Sequence, residues 1–103
     1  MAKLTLVPEP LFWAKLDVPV PGAEAMALSL QLKHRTKTEL QTWLETGEGR
    51  EDVQALLDLV AAWDLPDLFC AENISLLCEN HIGIAGRIVD FYIQELTKAK
   101  RGN

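Results

Sequence analysis

Two alternating apolar runs flank a proline-rich turn in residues 12–33, which read FWAKLDVPVPGAEAMALSLQLK. Every second position before and after the turn is apolar: Phe12, Ala14, Leu16 and Val18, then Met26, Leu28, Leu30 and Leu32. This is the period of half-buried β-strands, and the segment from Pro19 to Gly22 is typical of a turn. We therefore predict an antiparallel β-hairpin. Its apolar face needs a cover, because an isolated hairpin is only marginally stable in water.

The period changes to that of helices after the hairpin. Thr36 and Glu39 have the spacing of a capping box at the start of a first helix, and Gly47 is a natural end for that helix. A second helix is predicted from Glu51 to the residues before Pro66. Its apolar stripe consists of Val53, Leu56, Leu57, Val60 and Trp63.

Two further helices complete the helical region, which spans residues 36–100. The shorter one is predicted around Ile74, Leu77 and Cys78. The last one runs from about Ile84 to Lys100, where basic side chains suit the negative end of the helix dipole.

The chain of 103 residues is long enough for one domain and one core. We predict an α+β fold over residues 1–103, in which the hairpin of residues 12–33 packs against a small bundle of about four helices in residues 36–100. Residues 1–11 are expected to form either an edge strand or a loose N-terminal segment.

The net charge of -5 disfavours binding to nucleic acid or to anionic lipid. Acidic residues concentrate in residues 48–97, where ten Asp or Glu accompany only Arg50 and Arg87. This stretch predicts either a solvated acidic surface or a face complementary to a basic partner. Two cysteines and the lack of an apolar run of bilayer length predict a soluble cytoplasmic protein without membrane contact.

No group of residues in the sequence has the spacing of a catalytic or metal site. Cys78 and His81 lie three apart, but zinc needs three or four ligands and only Cys70 and His34 remain. Nucleophile and phosphate-loop motifs are absent from the sequence. We therefore predict no catalytic residue, no metal and no cofactor, and hence a protein that is not an enzyme.

One basic cluster lies at the junction of the second strand and the first helix. It consists of Lys33, Arg35 and Lys37, with His34 among them. Phosphate groups are often contacted at such junctions. A small cytoplasmic regulator that binds nucleic acid through this cluster is therefore an alternative function, although so few cations on an acidic chain are a weak footprint.

Several segments in a fixed order resemble one protein family. They are VPVPG at 18–22, LKHRT at 32–36, Glu39, Leu40 and Trp43, EDV at 51–53, Leu57 with AWD at 62–64, GRIV at 86–89, Tyr92, ELT at 95–97 and GN at 102–103. In this order they resemble the small tail assembly chaperones of long-tailed bacteriophages and prophages. The resemblance extends from Phe12 to the C-terminus and is weakest in residues 65–81.

The resemblance implies a non-enzymatic factor that binds the phage tape measure protein and keeps it soluble until tail tube subunits polymerise around it. The tail tube protein and second copies of the chain are further implied partners. The protein is then expected in the host bacterial cytoplasm and not in the mature virion, and many members also have a longer form made by a frameshift, here near residues 98–101. A structural tail protein retained in the virion is the remaining alternative.

The last helix carries more apolar surface than docking on its own core requires. The centre of its apolar arc, near Ala85 and Tyr92, is expected to face the domain interior. Phe91 lies at one edge beside Arg87, and Ile93 lies at the other edge. We predict that Phe91, Ile93 and Arg87 contact the tape measure protein or a sister subunit. The alternative is that Phe91 packs under the hairpin or in a homo-oligomer.

Overall fold

The predicted hairpin forms most of a three-stranded antiparallel sheet in the computed structural model, which describes residues 3–98. Strand β1 spans Leu11–Val20 and strand β2 spans Ala23–Lys33. Their register shifts at Pro19, which has no N–H to donate. Residues 3–10 form no strand and are exposed. The hairpin is thus confirmed, with strands slightly longer than the alternation indicates.

Four helices follow the hairpin within the described residues. They are α1 (Lys37–Glu45), α2 (Asp52–Leu59), α3 (Ala71–Asn80) and α4 (Ile84–Thr97). The capping box of α1 is confirmed, because Thr36 Oγ1 accepts a hydrogen bond from the Glu39 N–H at 3.1 Å and the Thr36 N–H donates to Glu39 Oε1 at 2.8 Å. Lys98 is the C-cap of α4. The helix is therefore shorter than predicted, and the rest of the segment linked to a frameshift, residues 99–101, lies outside the described range.

A third strand, β3 (Val60–Trp63), follows α2 directly and pairs antiparallel with β2. The prediction of one helix continuing to Pro66 is therefore wrong from Val60 onward. Val60 and Trp63 lie three residues apart, which fits a helical stripe, but both are good strand formers. Pairing here satisfies backbone groups on the second edge of β2, which a continued helix would leave without strand partners.

The helices cover one face of the sheet. The inward residues of β2, Leu28, Leu30 and Leu32, are buried in a core to which α2 and α4 contribute. Ala85 and Tyr92 of α4 are buried, as the apolar period predicts. Met26 continues the inward alternation of β2 but is 58% exposed. The helical cover is therefore incomplete at the end of the sheet nearest the hairpin turn.

Tyr92 connects α4 to the far end of β2. Its side chain is fully buried, and its hydroxyl donates a 2.6 Å hydrogen bond to the Lys33 carbonyl oxygen while accepting one at 3.1 Å from Arg35 Nη1. Burial raises the pKa of Tyr92, which keeps the hydroxyl protonated and able to donate. The hydrogen bond fixes the position of α4 along the strand.

A polar network around Asp58 holds α1, a helix that has no buried residue. Asp58 Oδ2 accepts a hydrogen bond from Trp43 Nε1 at 2.9 Å, and Asp58 Oδ1 accepts one from Gln54 Nε2 at 2.7 Å. Arg50 lies with its Nε 3.5 Å from Asp58 Oδ2, and its Cζ is 3.9 Å from the centroid of the Trp43 ring. Trp43 therefore combines a hydrogen bond with a cation–π contact.

The same network favours the ionised form of Asp58. Burial opposes ionisation, but hydrogen bonds from Trp43 and Gln54 and the charges of Arg50 and Arg35 hold the pKa of Asp58 below its ordinary value near 3.8. A lowered pKa in the folded state means that the carboxylate stabilises the fold at neutral pH. That contribution is lost as the pH falls below about 4 and passes the folded-state pKa.

We predict that Asp58→Asn lowers the free energy of unfolding by about 1 kcal/mol at pH 7, because the substitution removes a hydrogen-bonded charge that is partly screened by solvent. The difference from wild type should shrink between pH 5 and pH 3, which urea unfolding at each pH measures. Asp17→Asn on an exposed position of β1 is the control and should stay within about 0.5 kcal/mol. A difference that is independent of pH would contradict the role of the charge.

Candidate partner-binding site

The predicted basic cluster is largely engaged inside the domain. Lys33 Nζ donates to the Leu57 carbonyl oxygen at 3.0 Å, and Arg35 Nη1 donates to that of Asp58 at 2.9 Å. Both carbonyls belong to the last turn of α2, where they have no partner within the helix and where cations suit the dipole. Lys37 is exposed at the start of α1. Lys33 and Arg35 therefore connect β2 to α2, which weakens the case for a phosphate-binding cluster.

We predict that Arg35→Gln lowers the free energy of unfolding by about 1–2 kcal/mol, because it removes hydrogen bonds to Asp58 and Tyr92. Lys37→Gln, the matched loss of one charge at an exposed position, should change it by less than about 0.5 kcal/mol. Thermal or urea unfolding of the two variants measures the difference. Equal, negligible effects would show that Arg35 is not structural and would restore the nucleic-acid alternative.

The predicted contact residues of α4 lie on two sides of that helix. Phe91 is half-buried, packs against the core and shares with Leu16 of β1 a cleft of about 520 Å³ that Arg87 also lines. Ile93 is half-buried on another side of α4, since two residues turn a helix by about 200°. The structure thus brings Phe91 and Arg87 together and leaves Ile93 apart from them.

An apolar groove opens between the hairpin turn and α3, and we call it the α3 groove. Its central cleft has a volume of about 200 Å³. The apolar side chains that line this cleft are Val18, Val20, Met26, Ala27, Leu28, Leu65, Leu77 and Ile84. His81 also lines it and is the C-cap residue of α3. The groove lies where the sheet extends beyond its helical cover.

Two neighbouring clefts extend the α3 groove. One, of about 230 Å³, runs along α3 and includes Leu76, and the other, of about 400 Å³, lies below the hairpin turn and includes Ile82. His81 lines all three clefts, which therefore adjoin one another at this residue. Leu76 is 59% exposed and Ile82 is 98% exposed. Contiguous apolar surface of this kind marks interaction sites.

The local backbone explains why Ile82 points away from the core. Gly83 follows it with a φ of 85°, in the left-handed region that glycine adopts without steric cost. This residue is the N-cap of α4, and only residues 81–83 connect α3 to α4. Ile82 lies in that connection, outside both helices, and its side chain is left at the rim of the groove.

The α3 groove lies in a strongly acidic part of the chain. Residues 51–86 contain seven Asp or Glu and no Lys or Arg. Glu72 and Glu79 stand four residues before and three residues after Leu76, so all three are neighbours on the surface of α3. Of the three clefts, only the one below the hairpin turn is lined by Arg87. The apolar wall at Leu76 therefore has carboxylates beside it.

The chemistry that the groove offers is contact with apolar side chains. Within residues 3–98, no group of three or more His, Cys, Asp or Glu is placed to hold a metal ion. Cys70 and Cys78 are free, half-buried thiols, and burial together with the charge of Asp52 raises the pKa of Cys78. None of the helices in the described range has the length and apolar character needed to cross a membrane.

Sequence reasoning missed Leu76, Ile82 and Met26 as surface residues. Leu76 lies outside the buried stripe of α3, which is centred on Ile74, and Ile82 sits between a helix end and Gly83. The sequence signal that could have identified them is an apolar residue off the buried stripe, for Leu76, or in a connection between helices, for Ile82. Met26 gave no such signal, because its place in the strand alternation is that of a core residue.

These observations define a small α+β domain that leaves an apolar groove open to solvent. The family model for phage tail assembly chaperones matches residues 1–103. The chain therefore belongs to the phage tail assembly chaperone family, and the family resemblance drawn from its segments is confirmed. No curated protein and no solved structure matches the chain.

Proposed function

We propose that this chaperone binds the tape measure protein of its phage and keeps it soluble while the tail tube polymerises. The observation that supports the proposal most strongly is the α3 groove, where a member of the tail assembly chaperone family exposes Leu76, Ile82 and Met26 outside its core. Exposed apolar area costs about 25 cal/mol per Å², and a bound partner removes this cost. The proposed role needs no catalytic step, so the protein acts as a non-enzymatic factor.

A groove of this kind suits a helical client. A tape measure protein is long and helical, and its apolar stripes aggregate when they are uncovered. An amphipathic helix buries such a stripe by placing residues i, i+3, i+4 and i+7 in a groove. A contact between one small domain and one stretch of helix is small in area, and small interfaces belong to transient complexes. The chaperone can therefore cover its client in several copies and still be displaced by tail tube subunits.

The place and time of action follow from this role. The chaperone works in the host bacterial cytoplasm during assembly and is released before the virion is complete. The tail tube protein is then its competitor for the tape measure rather than a stable partner. Second copies of the chain lie along the same client.

We predict that co-expression with a tape measure fragment keeps that fragment in the soluble fraction and that the complex survives high salt. Apolar contacts are not screened by salt, whereas binding to nucleic acid weakens steeply as salt rises. Soluble yield after centrifugation and co-purification at low and high salt measure both effects. Equal aggregation with and without the chaperone would contradict the proposal. Recovery of the chain in purified virions would favour a structural tail protein.

We further propose separate contacts for the two sides of α4. Phe91 and Arg87 extend the tape measure contact, since Arg87 also lines the cleft below the turn. Ile93, on another side of α4, contacts a second copy of the chain. Phe91 and Ile93 also pack against the core, so substituting either one should destabilise the fold. A variant of Phe91 must therefore be compared with a variant of Ile93 and not only with wild type.

We predict that Phe91→Ser weakens capture of the tape measure fragment more than Ile93→Ser does, whereas Ile93→Ser alone alters self-association. Both variants replace a half-buried apolar residue of the same helix, so each should destabilise the fold by a similar amount, about 1–3 kcal/mol. Pull-down, sedimentation and thermal unfolding of the pair measure the three properties. If the Phe91→Ser variant captures the tape measure fragment as well as the Ile93→Ser variant does, Phe91 is not part of the tape measure contact.

A further inference from the structure

We propose that the α3 groove selects an amphipathic helix whose apolar stripe is flanked by Lys or Arg. The proposal rests on the proposed chaperone function and specifies which segments of the client are bound. It joins two features on the α3 side of the groove: adjoining clefts with exposed apolar side chains, and the carboxylates of Asp67, Glu72 and Glu79.

The shape of the groove favours a helix over an added strand. A strand would pair with an exposed sheet edge through backbone hydrogen bonds. The α3 groove is lined by side chains from three places: the hairpin, the segment that follows β3, and α3 itself. Val20, Leu65 and Leu77 are examples. A partner must therefore contribute apolar side chains in a row, which the stripe of an amphipathic helix provides.

The charges beside the groove favour cations on the partner. Within residues 3–98, neither Glu72 nor Glu79 forms an ion pair, and both lie next to the exposed Leu76. Asp67 lines the cleft along α3. A helix that places Leu76 against its stripe brings its flanking residues towards these carboxylates. Lys or Arg there gains electrostatic attraction, and Glu or Asp is repelled.

Within residues 3–98, the helices of a second copy of the chain do not have this chemistry. No helix within residues 3–98 contains more than one Lys or Arg: α1 has Lys37, α4 has Arg87, and α2 and α3 have none. Self-association through the groove would instead bring two acidic surfaces together on a protein of net charge -5. The occupant that the charges favour is therefore a different chain with a basic amphipathic helix.

The test uses two synthetic helical peptides with the same leucine stripe, one flanked by lysines and the other by glutamates. The charge variant is Glu72→Lys/Glu79→Lys, and its control is Glu45→Lys/Glu48→Lys, which changes the net charge equally at exposed positions outside the groove. The apolar variant is Leu76→Gln/Ile82→Gln, and its control is Leu4→Gln/Leu6→Gln, also exposed. All eight side chains are exposed, so thermal unfolding should change little.

We expect the lysine-flanked peptide to bind the wild-type chain and to lose at least about tenfold in affinity with either groove variant, which corresponds to about 1.4 kcal/mol. The control variants should lose less than about threefold, a loss of under about 0.7 kcal/mol. Calorimetry or fluorescence titration at physiological salt measures both. Equal losses for the charge variant and its control would overturn the proposal, because they would indicate long-range attraction without a site. Equal binding of the glutamate-flanked peptide would also overturn it.

Two further outcomes separate this proposal from the chaperone function. If the groove variants still keep a tape measure fragment soluble at wild-type level, the chaperone function stands and the groove assignment is wrong. If the wild-type chain binds the lysine-flanked peptide as described but leaves the fragment insoluble, the groove chemistry stands and the client is another protein. A wild-type dimer that is lost in Leu76→Gln/Ile82→Gln would identify a second copy as the occupant and overturn the proposal.

Discussion

Strand β2 is the constraint on which the rest of the structure depends, because both of its edges and one of its faces must be satisfied together. β1 pairs along one edge and β3 along the other. The inward leucines of β2 require an apolar cover, which α2 and α4 supply. Since β3 follows α2 without a loop, placing α2 over the sheet also brings β3 to its edge. At the Lys33 end of β2, the Tyr92 hydroxyl ties α4 to the strand, and Arg35 ties the strand to α2, each through a hydrogen bond.

The parts of the fold that could be predicted from the sequence are those encoded within a few residues. The hairpin alternation and turn, and the capping box at Thr36, are such local signals, and the structure contains them. Strand β3 could not be predicted, because Val60 and Trp63 satisfy a helical stripe equally well. The choice between helix and strand for these residues depends on pairing with the edge of β2, which is distant in sequence. The basic cluster that includes Lys33 and Arg35 could be recognised in the sequence. Its partners could not be predicted, because they are backbone carbonyls at the end of α2 and no sequence pattern marks such a contact.

The two ends of β2 have different roles in the domain. At the Lys33 end, buried and half-buried polar groups hold α1, α2 and α4 in place. At the hairpin end, the sheet extends past its cover and Met26 is exposed in the α3 groove. The sequence did not reveal this division, because incomplete cover depends on where helices end relative to strands. The exposed side chains of the groove, such as Met26, can therefore vary without disturbing the network that maintains the fold at the other end.

The attachment of α1 has a consequence for the dynamics of the domain. α1 gives the core only half-buried side chains such as Leu40 and Trp43, and its firmest contacts are the polar ones around Asp58. Detaching α1 exposes little apolar area, so this opening should need less free energy than global unfolding. The amides of α1 should then exchange their hydrogens with solvent through a partial opening that leaves the sheet closed. The domain should then behave as two cooperative units, a stable sheet with α2 and α4 and a more weakly held α1.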